Sequence, residues 1–164
     1  MRYFLENEEL KCEFDGHGAE LKSVLDKKNY REYMWYGNGK YWGRSAPVLF
    51  PFVGMLKDKK YRFEGREYTM GQHGFARDTD FELVSNENGK IRFIMRSDGE
   101  TKKKYPFDFT LEIEYTLEKN ALNVRWIVTN TGTGKMYFSI GAHPAFLCPV
   151  HGEKNKAGYR LVFR

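Results

Sequence analysis

Residues 107–117 alternate without a slip: Phe107, Phe109, Leu111, Ile113, Tyr115 and Leu117 are apolar, and Asp108, Thr110, Glu112, Glu114 and Thr116 are polar. A period of two held over that length specifies a half-buried β-strand, because successive strand side chains point to opposite faces. A helix would scatter the same residues around its circumference. Glu118-Lys119-Asn120 then predicts a turn, and Leu122, Val124, Trp126 and Val128, alternating with Asn123, Arg125 and Thr129, predict the return strand of a hairpin. Asn130-Thr131-Gly132-Thr133-Gly134 predicts the next turn and residues 136–140 a third consecutive antiparallel strand.

The same grammar recurs upstream. Residues 61–63 and 67–70 flank Glu64-Gly65-Arg66, and residues 81–84 and 91–95 flank a polar turn at 86–89, which predicts two more hairpins. Residues 3–5, 10–14, 20–25 and 33–36 are shorter strand candidates, and residues 158–164 read as a strand in which the sequence stops. No helix is expected. An aromatic content of 13 Phe, 11 Tyr and 3 Trp, with 16 Gly and only 5 Pro, suits strands and turns. The expectation is one all-β domain over residues 1–164, an antiparallel sandwich or barrel. A sequence that ends inside a strand would leave apolar faces and edges exposed, inviting self-association or a complementing C-terminal half as partner.

Charge and cysteine usage narrow the function classes. Twenty-seven Lys and Arg against 22 Asp and Glu leave +5, spread along the chain apart from Lys102-Lys103-Lys104. Nucleic-acid binding would need that charge gathered on one face among exposed aromatics, so no nucleic-acid partner is expected. Cys12 and Cys148 are too few and too far apart for a disulfide framework, which fits a reducing, cytoplasmic setting. The N-terminus runs from Leu5 into Glu6, Glu8 and Glu9 without an apolar signal segment, and the apolar stretch at 46–56 is too short and too broken by proline and glycine to span a bilayer. No membrane partner is expected.

Three segments interrupt the alternation with residues a strand does not require. Gly71-Gln72-His73-Gly74-Phe75-Ala76-Arg77-Asp78 follows a strand and presents His73 between glycines. Gly141-Ala142-His143-Pro144-Ala145-Phe146 also follows a strand. Histidine exchanges protons near neutral pH, so both His73 and His143 are candidates for acid–base work. The alternative for each is a loop histidine that only hydrogen-bonds its own turn. In the third segment, Arg44 precedes an apolar stretch stiffened by Pro47 and Pro51; its planar fork suits sugar hydroxyls or phosphate oxygens, and its plainer role is a salt bridge. Tyr41, Trp42, Phe50 and Phe52 offer flat faces for a sugar ring or for the core.

Other motifs fall away. Cys148 with His151 and Cys12 with His17 lack the tight, repeated spacing of structural zinc sites, so no metal is assigned. Gly132-Thr133-Gly134-Lys135 has Thr129 where a phosphate loop needs its first glycine and Met136 where it needs Ser or Thr, which makes it a turn. No nucleophile elbow or dinucleotide fingerprint is present.

Together, Gly43-Arg44-Ser45-Ala46-Pro47-Val48-Leu49-Phe50-Pro51, Gln72-His73-Gly74-Phe75-Ala76-Arg77 and Ser139-Ile140-Gly141-Ala142-His143-Pro144-Ala145-Phe146 resemble the aldose 1-epimerase (galactose mutarotase-like) family, in its LacX-like or hexose-phosphate-mutarotase-like branch. The resemblance implies an antiparallel β-supersandwich that binds a hexose or hexose phosphate and interconverts its α and β anomers, an isomerase without a cofactor. It implies His143 as general acid, His73 as the histidine that orients the sugar, and Arg44, Gln72 and Arg77 as contacts to sugar or phosphate oxygens. Resembling proteins carry their general base, a glutamate, in the second half of the sandwich. The resemblance implies that this sequence is an N-terminal portion, so the chain is expected to lack the base and to be a poor catalyst alone. Asp78 and Asp80 lie near His73 but are expected to be structural partners of nearby arginine. The rival reading is a non-catalytic carbohydrate-binding or regulatory module that keeps Arg44, Gln72, His73 and Arg77 without the chemistry.

Overall fold

A computed structural model describes residues 1–150, 155–160 and 162. The chain begins with β1 (Arg2–Glu6), β2 (Leu10–Asp15), β3 (Glu20–Asp26) and the short β4 (Arg31–Glu32), which form one antiparallel sheet in sequence order. After β5 (Val48–Leu49) come a hairpin of β6 (Lys60–Phe63) and β7 (Arg66–Thr69), then β8 (Glu82–Glu87), β9 (Lys90–Arg96), the helix α1 (Gly99–Lys104), β10 (Phe109–Glu118), β11 (Ala121–Asn130) and β12 (Gly141–Ala142). A second four-stranded sheet has the order β11-β10-β9-β8, and β12 pairs with β5.

The alternation that marks β10 decides which face is buried. Phe109, Leu111, Ile113, Tyr115 and Leu117 all lie inside, while the glutamates between them face out. Across the core, β2 contributes Cys12 and Phe14, so the two large sheets face one another as a sandwich. Phe14 packs on Tyr115 at 4.6 Å between ring centroids, and Tyr3 meets Phe93 edge-on at 5.3 Å. Each such buried ring contributes about 1.5–3 kcal/mol of hydrophobic stabilisation. The Tyr115 hydroxyl donates to the Ala19 carbonyl at 2.8 Å, which satisfies the one polar group that this ring carries into the core. Burial pushes the Tyr115 phenol well above its ordinary pKa.

The all-β expectation holds, as do the three hairpins. Four local expectations do not. Residues 33–36 form no strand, Met34 making only an isolated bridge with Phe146. Residues 136–140 form no strand; Ser139 N–H donates to the Pro51 carbonyl and the Ser139 hydroxyl accepts from Val53 N–H, but Pro51 has no N–H to return and the ladder cannot extend. β11 is therefore an edge strand of the sheet, and the other neighbour of β10 is β9. A helix does form at α1, nucleated by Asp98, whose carboxylate accepts from Thr101 N–H while Thr101 Oγ1 accepts from Asp98 N–H. The strand expected at 158–164 lies partly outside the described residues; Gly158 ends a single 3-10 turn, and Tyr159 and Arg160 are in no strand. Among the described residues no helix is long and apolar enough to cross a membrane.

Candidate functional site

The site is built around residues 44–54, which the fold pins from two sides. Glu20, buried at the start of β3, accepts from Ser45 N–H at 2.6 Å and from Ala46 N–H at 2.9 Å through one carboxylate oxygen, while its other oxygen meets Lys22 Nζ at 3.3 Å. From the other side, His143 N–H donates to Pro47 O and Ala145 N–H to Ser45 O, both continuing the pairing of β5 with β12 beyond Val48 and Ala142. Arg44 and His143 are thereby fixed to the same short strand pair.

The second histidine arrives through the loop after β7. There Gly74 pairs with Phe50, and Phe75 and Ala76 both donate their N–H groups to the Phe50 carbonyl. Gly74 has φ +74°, and a Cβ there would stand 2.1 Å from Phe50 O, so only glycine permits the approach. His73 is bracketed against Gly54: His73 N–H donates to Gly54 O at 2.7 Å, and Gly54 N–H donates to His73 Nδ1 at 3.0 Å. A backbone N–H can only donate, so Nδ1 is the unprotonated nitrogen and the neutral ring carries its hydrogen on Nε2. Partial burial, then the Arg77 charge, then His143 lower the pKa of His73 below its ordinary value. His73 is held as a neutral donor.

The guanidinium groups form a linked pair. Arg44 Nη1 donates to Arg77 O at 3.1 Å and Arg44 Nη2 is bonded to the Asp78 carboxylate; Arg77 Nη2 donates to Gln72 O at 2.8 Å, with Nε 3.7 Å from Asp78. Two cations share one carboxylate. Burial, with Arg44 next, lowers the pKa of Arg77, and its Nε is buried without a hydrogen-bond partner among the described residues. Excess positive charge therefore borders His73, a setting that favours an electron-rich oxygen as the next arrival.

The His143 ring is exposed and lies beside Trp42, with centroids 5.2 Å apart and planes tilted by 54°. All five residues singled out from the sequence thus belong to one neighbourhood, Gln72 through its carbonyl and an exposed side chain. Of the aromatic candidates, Trp42 stays with the histidines. Phe50 is fully buried under the site, Phe52 packs on Tyr61 at 5.1 Å, and Tyr41 meets Trp35 edge-on instead. Asp78 is committed to Arg44, and Asp80 to His17 Nδ1 at 2.7 Å, so neither is a free base. Glu20 and Gly54 were not legible as site residues, since each acts through contacts distant in sequence.

A cavity of about 610 Å³ opens on the far side of the same loop, lined by Met70, Gly74, Phe75, Asp78, Asp98 and Lys104 among others, but neither histidine borders it. No cluster of three metal-ligating side chains occurs among the described residues; Cys12 is buried with its thiol pKa pushed up to about 12, and His151 lies outside the described residues.

Comparison with known proteins identifies the family. Residues 1–163 match the family model described as aldose 1-epimerase. The chromosomal protein LacX of Lactococcus lactis subsp. lactis is 38% identical over 97% of this chain and 55% of its own length. Among solved structures, the galactose mutarotase related enzyme from Lactobacillus acidophilus superposes with a TM-score of 0.92 and 42% identity, covering 95% of this chain and 52% of that one. A galactose mutarotase-like protein from Lactobacillus casei gives 0.86 and 39%, covering 89% and 50%. The chain spans about half the length of these relatives. With an antiparallel β-sandwich matching along nearly all of its described length, this chain belongs to the aldose 1-epimerase family.

Proposed function

We propose that the His73–His143 surface binds a hexose or hexose phosphate and takes part in interconverting its α and β anomers. The observation that carries this reading is the Gly54 N–H to His73 Nδ1 hydrogen bond, which leaves the neutral ring its hydrogen on Nε2, close to the exposed His143. Ring opening needs an acid at the ring oxygen and a base at the anomeric hydroxyl, each contributing about 10²–10⁴-fold. His143 supplies the acid: its proton goes to the ring oxygen as the bond from C1 breaks. His73 donates to a sugar oxygen and fixes the pose, and Arg44, Gln72 and Arg77 hold hydroxyl or phosphate oxygens. Rotation about C1–C2 and reclosure then give the other anomer.

The proton acceptor is not among the carboxylates bonded into this cluster, because Asp78 is neutralised by Arg44 and Arg77. Turnover then depends on a base from the part of the family fold that this chain does not match. The same observation favours sugar binding without turnover as the second reading. Exchange NMR between the α and β anomers of glucose, galactose and their phosphates, with the chain alone, tests both. The expected result is weak, saturable binding with little acceleration. Rapid anomer exchange by the lone chain would refute the missing base, and absence of any sugar binding would refute the site.

A further inference from the structure

We infer that residues 35–43 form a second sugar subsite, which takes the non-reducing residue of a disaccharide or longer glycan whose reducing-end hexose lies against His73 and His143. The position of the reducing end rests on the anomerisation reading; the second subsite rests on the geometry of this loop. Residues 35–43 belong to no strand, and they carry Trp35, Tyr36, Tyr41 and Trp42.

Both ends of the loop are tied to one residue near His143. Trp35 N–H donates to Ala145 O at 2.9 Å, and Ala145 N–H donates to Ser45 O at 2.8 Å, so the chain leaves and rejoins the segment that carries His143 at the same place. The neck is closed as well. Trp35 Nε1–H donates to Trp42 O at 2.8 Å, and Gly37, at φ +74°, lies so close to Gly43 that a Cβ would stand 3.0 Å from Gly43 O. Inside the loop, Asn38 O accepts from Tyr41 N–H and Trp42 N–H, and Asn38 Oδ1 accepts from Lys40 N–H. Near ends and internal bonding of this kind make a compact Ω-type loop, a form that proteins often use for function. The rings are thereby held in place relative to His143.

They run outward from the histidines. Trp42 lies 5.2 Å from the His143 ring, and Trp35, bonded to the Trp42 backbone, touches both tyrosines: it stacks on Tyr36 at 4.7 Å and meets Tyr41 edge-on at 6.4 Å. Tyr36 is nevertheless 63% and Tyr41 73% exposed. Large rings that are ordered and yet left in water mark a binding surface. The polar groups among them select the ligand. Asn38 Nδ2 donates to Tyr36 OH at 3.3 Å, and Lys40 Nζ stands 5.5 Å from the Tyr41 centroid, so flat apolar faces alternate with hydrogen-bonding groups. A pyranose has the same division, an apolar C–H face within a rim of hydroxyls, whereas a wholly apolar partner would strand the amide and the ammonium.

The test titrates the 164-residue chain with glucose, maltose and cellobiose, followed by NMR. At least one of the two disaccharides is expected to bind about tenfold more tightly than glucose, the size of one added aromatic contact. Y36A/Y41A should reduce that disaccharide to the affinity of glucose. Y36F/Y41F keeps the ring faces and should retain most of the advantage, with circular dichroism to verify that both variants fold. Equal affinity for glucose and both disaccharides, or an advantage that survives in folded Y36A/Y41A, would overturn the inference and leave the monosaccharide site standing. Disaccharide binding that needs the tyrosines, in a chain that does not bind glucose, would uphold the subsite and refute the histidine site. Binding of none of the three sugars would overturn both. Light scattering on the same samples covers the other occupant: a dimer that Y36A/Y41A dissolves would put a second copy of the chain on these rings and overturn the inference.

Discussion

Gly54 donates its backbone N–H to Nδ1 of His73 at 3.0 Å. That one contact fixes which nitrogen carries the hydrogen and sets how the site responds to pH. Protonating Nδ1 would turn an acceptor into a donor aimed at a donor, in a place where burial, Arg77 and His143 already disfavour the cation. Nitrogen NMR should therefore find the Nε2–H tautomer and a His73 pKa below about 6.5. The native state prefers the neutral ring. Its contribution to stability is thus complete above the unfolded value and is lost as pH falls through the lower folded value. Sugar binding should weaken over the same interval. R77M should raise the His73 pKa only part of the way, because burial is the largest cause and remains; a wild-type pKa above 6.5 would contradict the bracket.

Gly74 gives a sharper test of how the loop is held. G74A would place a methyl group 2.1 Å from the Phe50 carbonyl oxygen at a positive φ, so the Phe50–Gly74 pairing cannot form. Backbone strain of that kind costs about 1–3 kcal/mol even before the clash is relieved. Urea unfolding should show a loss at least that large, together with a shift of the His73 ring resonances. A stability loss within about 0.5 kcal/mol, typical of a surface change, would mean that the loop does not sit against Phe50.

The strands with uninterrupted alternation were legible from the sequence because β10 and β11 lie in a sheet with one buried face, where a period of two is the direct consequence of burial. Residues 136–140 carry a similar apolar density, but Tyr137 is 62% and Phe138 44% exposed, and their neighbour is a proline-containing segment. Propensity predicts a strand there; the missing partner N–H forbids it. The helix α1, at six residues, is too short to show a helical period, although the Asp98–Thr101 spacing was a readable cap signal. At the site, the Gly–His and Arg–Pro segments announced His73, His143 and Arg44. Glu20 gave no signal, since it and the adjacent Leu21 are both buried and break the alternation that would have marked an inward carboxylate.

Glu20 nevertheless positions the segment that carries Arg44. Its carboxylate receives Ser45 N–H and Ala46 N–H in a buried setting, and E20A would strand both donors. An unsatisfied buried donor costs about 1–3 kcal/mol, so unfolding by urea should show a loss of about 3 kcal/mol. E20Q keeps an acceptor oxygen and should recover part of that loss and most of the sugar affinity. Equal damage from both substitutions would show that the charge, rather than the acceptor geometry, holds residues 44–46.

His143 separates chemistry from architecture most cleanly. Its ring is exposed, its backbone N–H to Pro47 O survives any side-chain change, and its described ring neighbour is Trp42 at 5.2 Å. H143Q should therefore leave stability within about 0.5 kcal/mol of the parent. The glutamine side chain still donates and accepts hydrogen bonds but cannot deliver a proton to a ring oxygen. Whatever anomer exchange the chain sustains, alone or joined by the remainder of the fold, should fall by about 10²-fold or more, as expected for loss of a general acid. Saturation-transfer NMR on the two anomeric protons reads the rate, and thermal unfolding reads stability on the same sample. Undiminished exchange would place the acid elsewhere, and a lowered melting temperature would assign His143 to the scaffold.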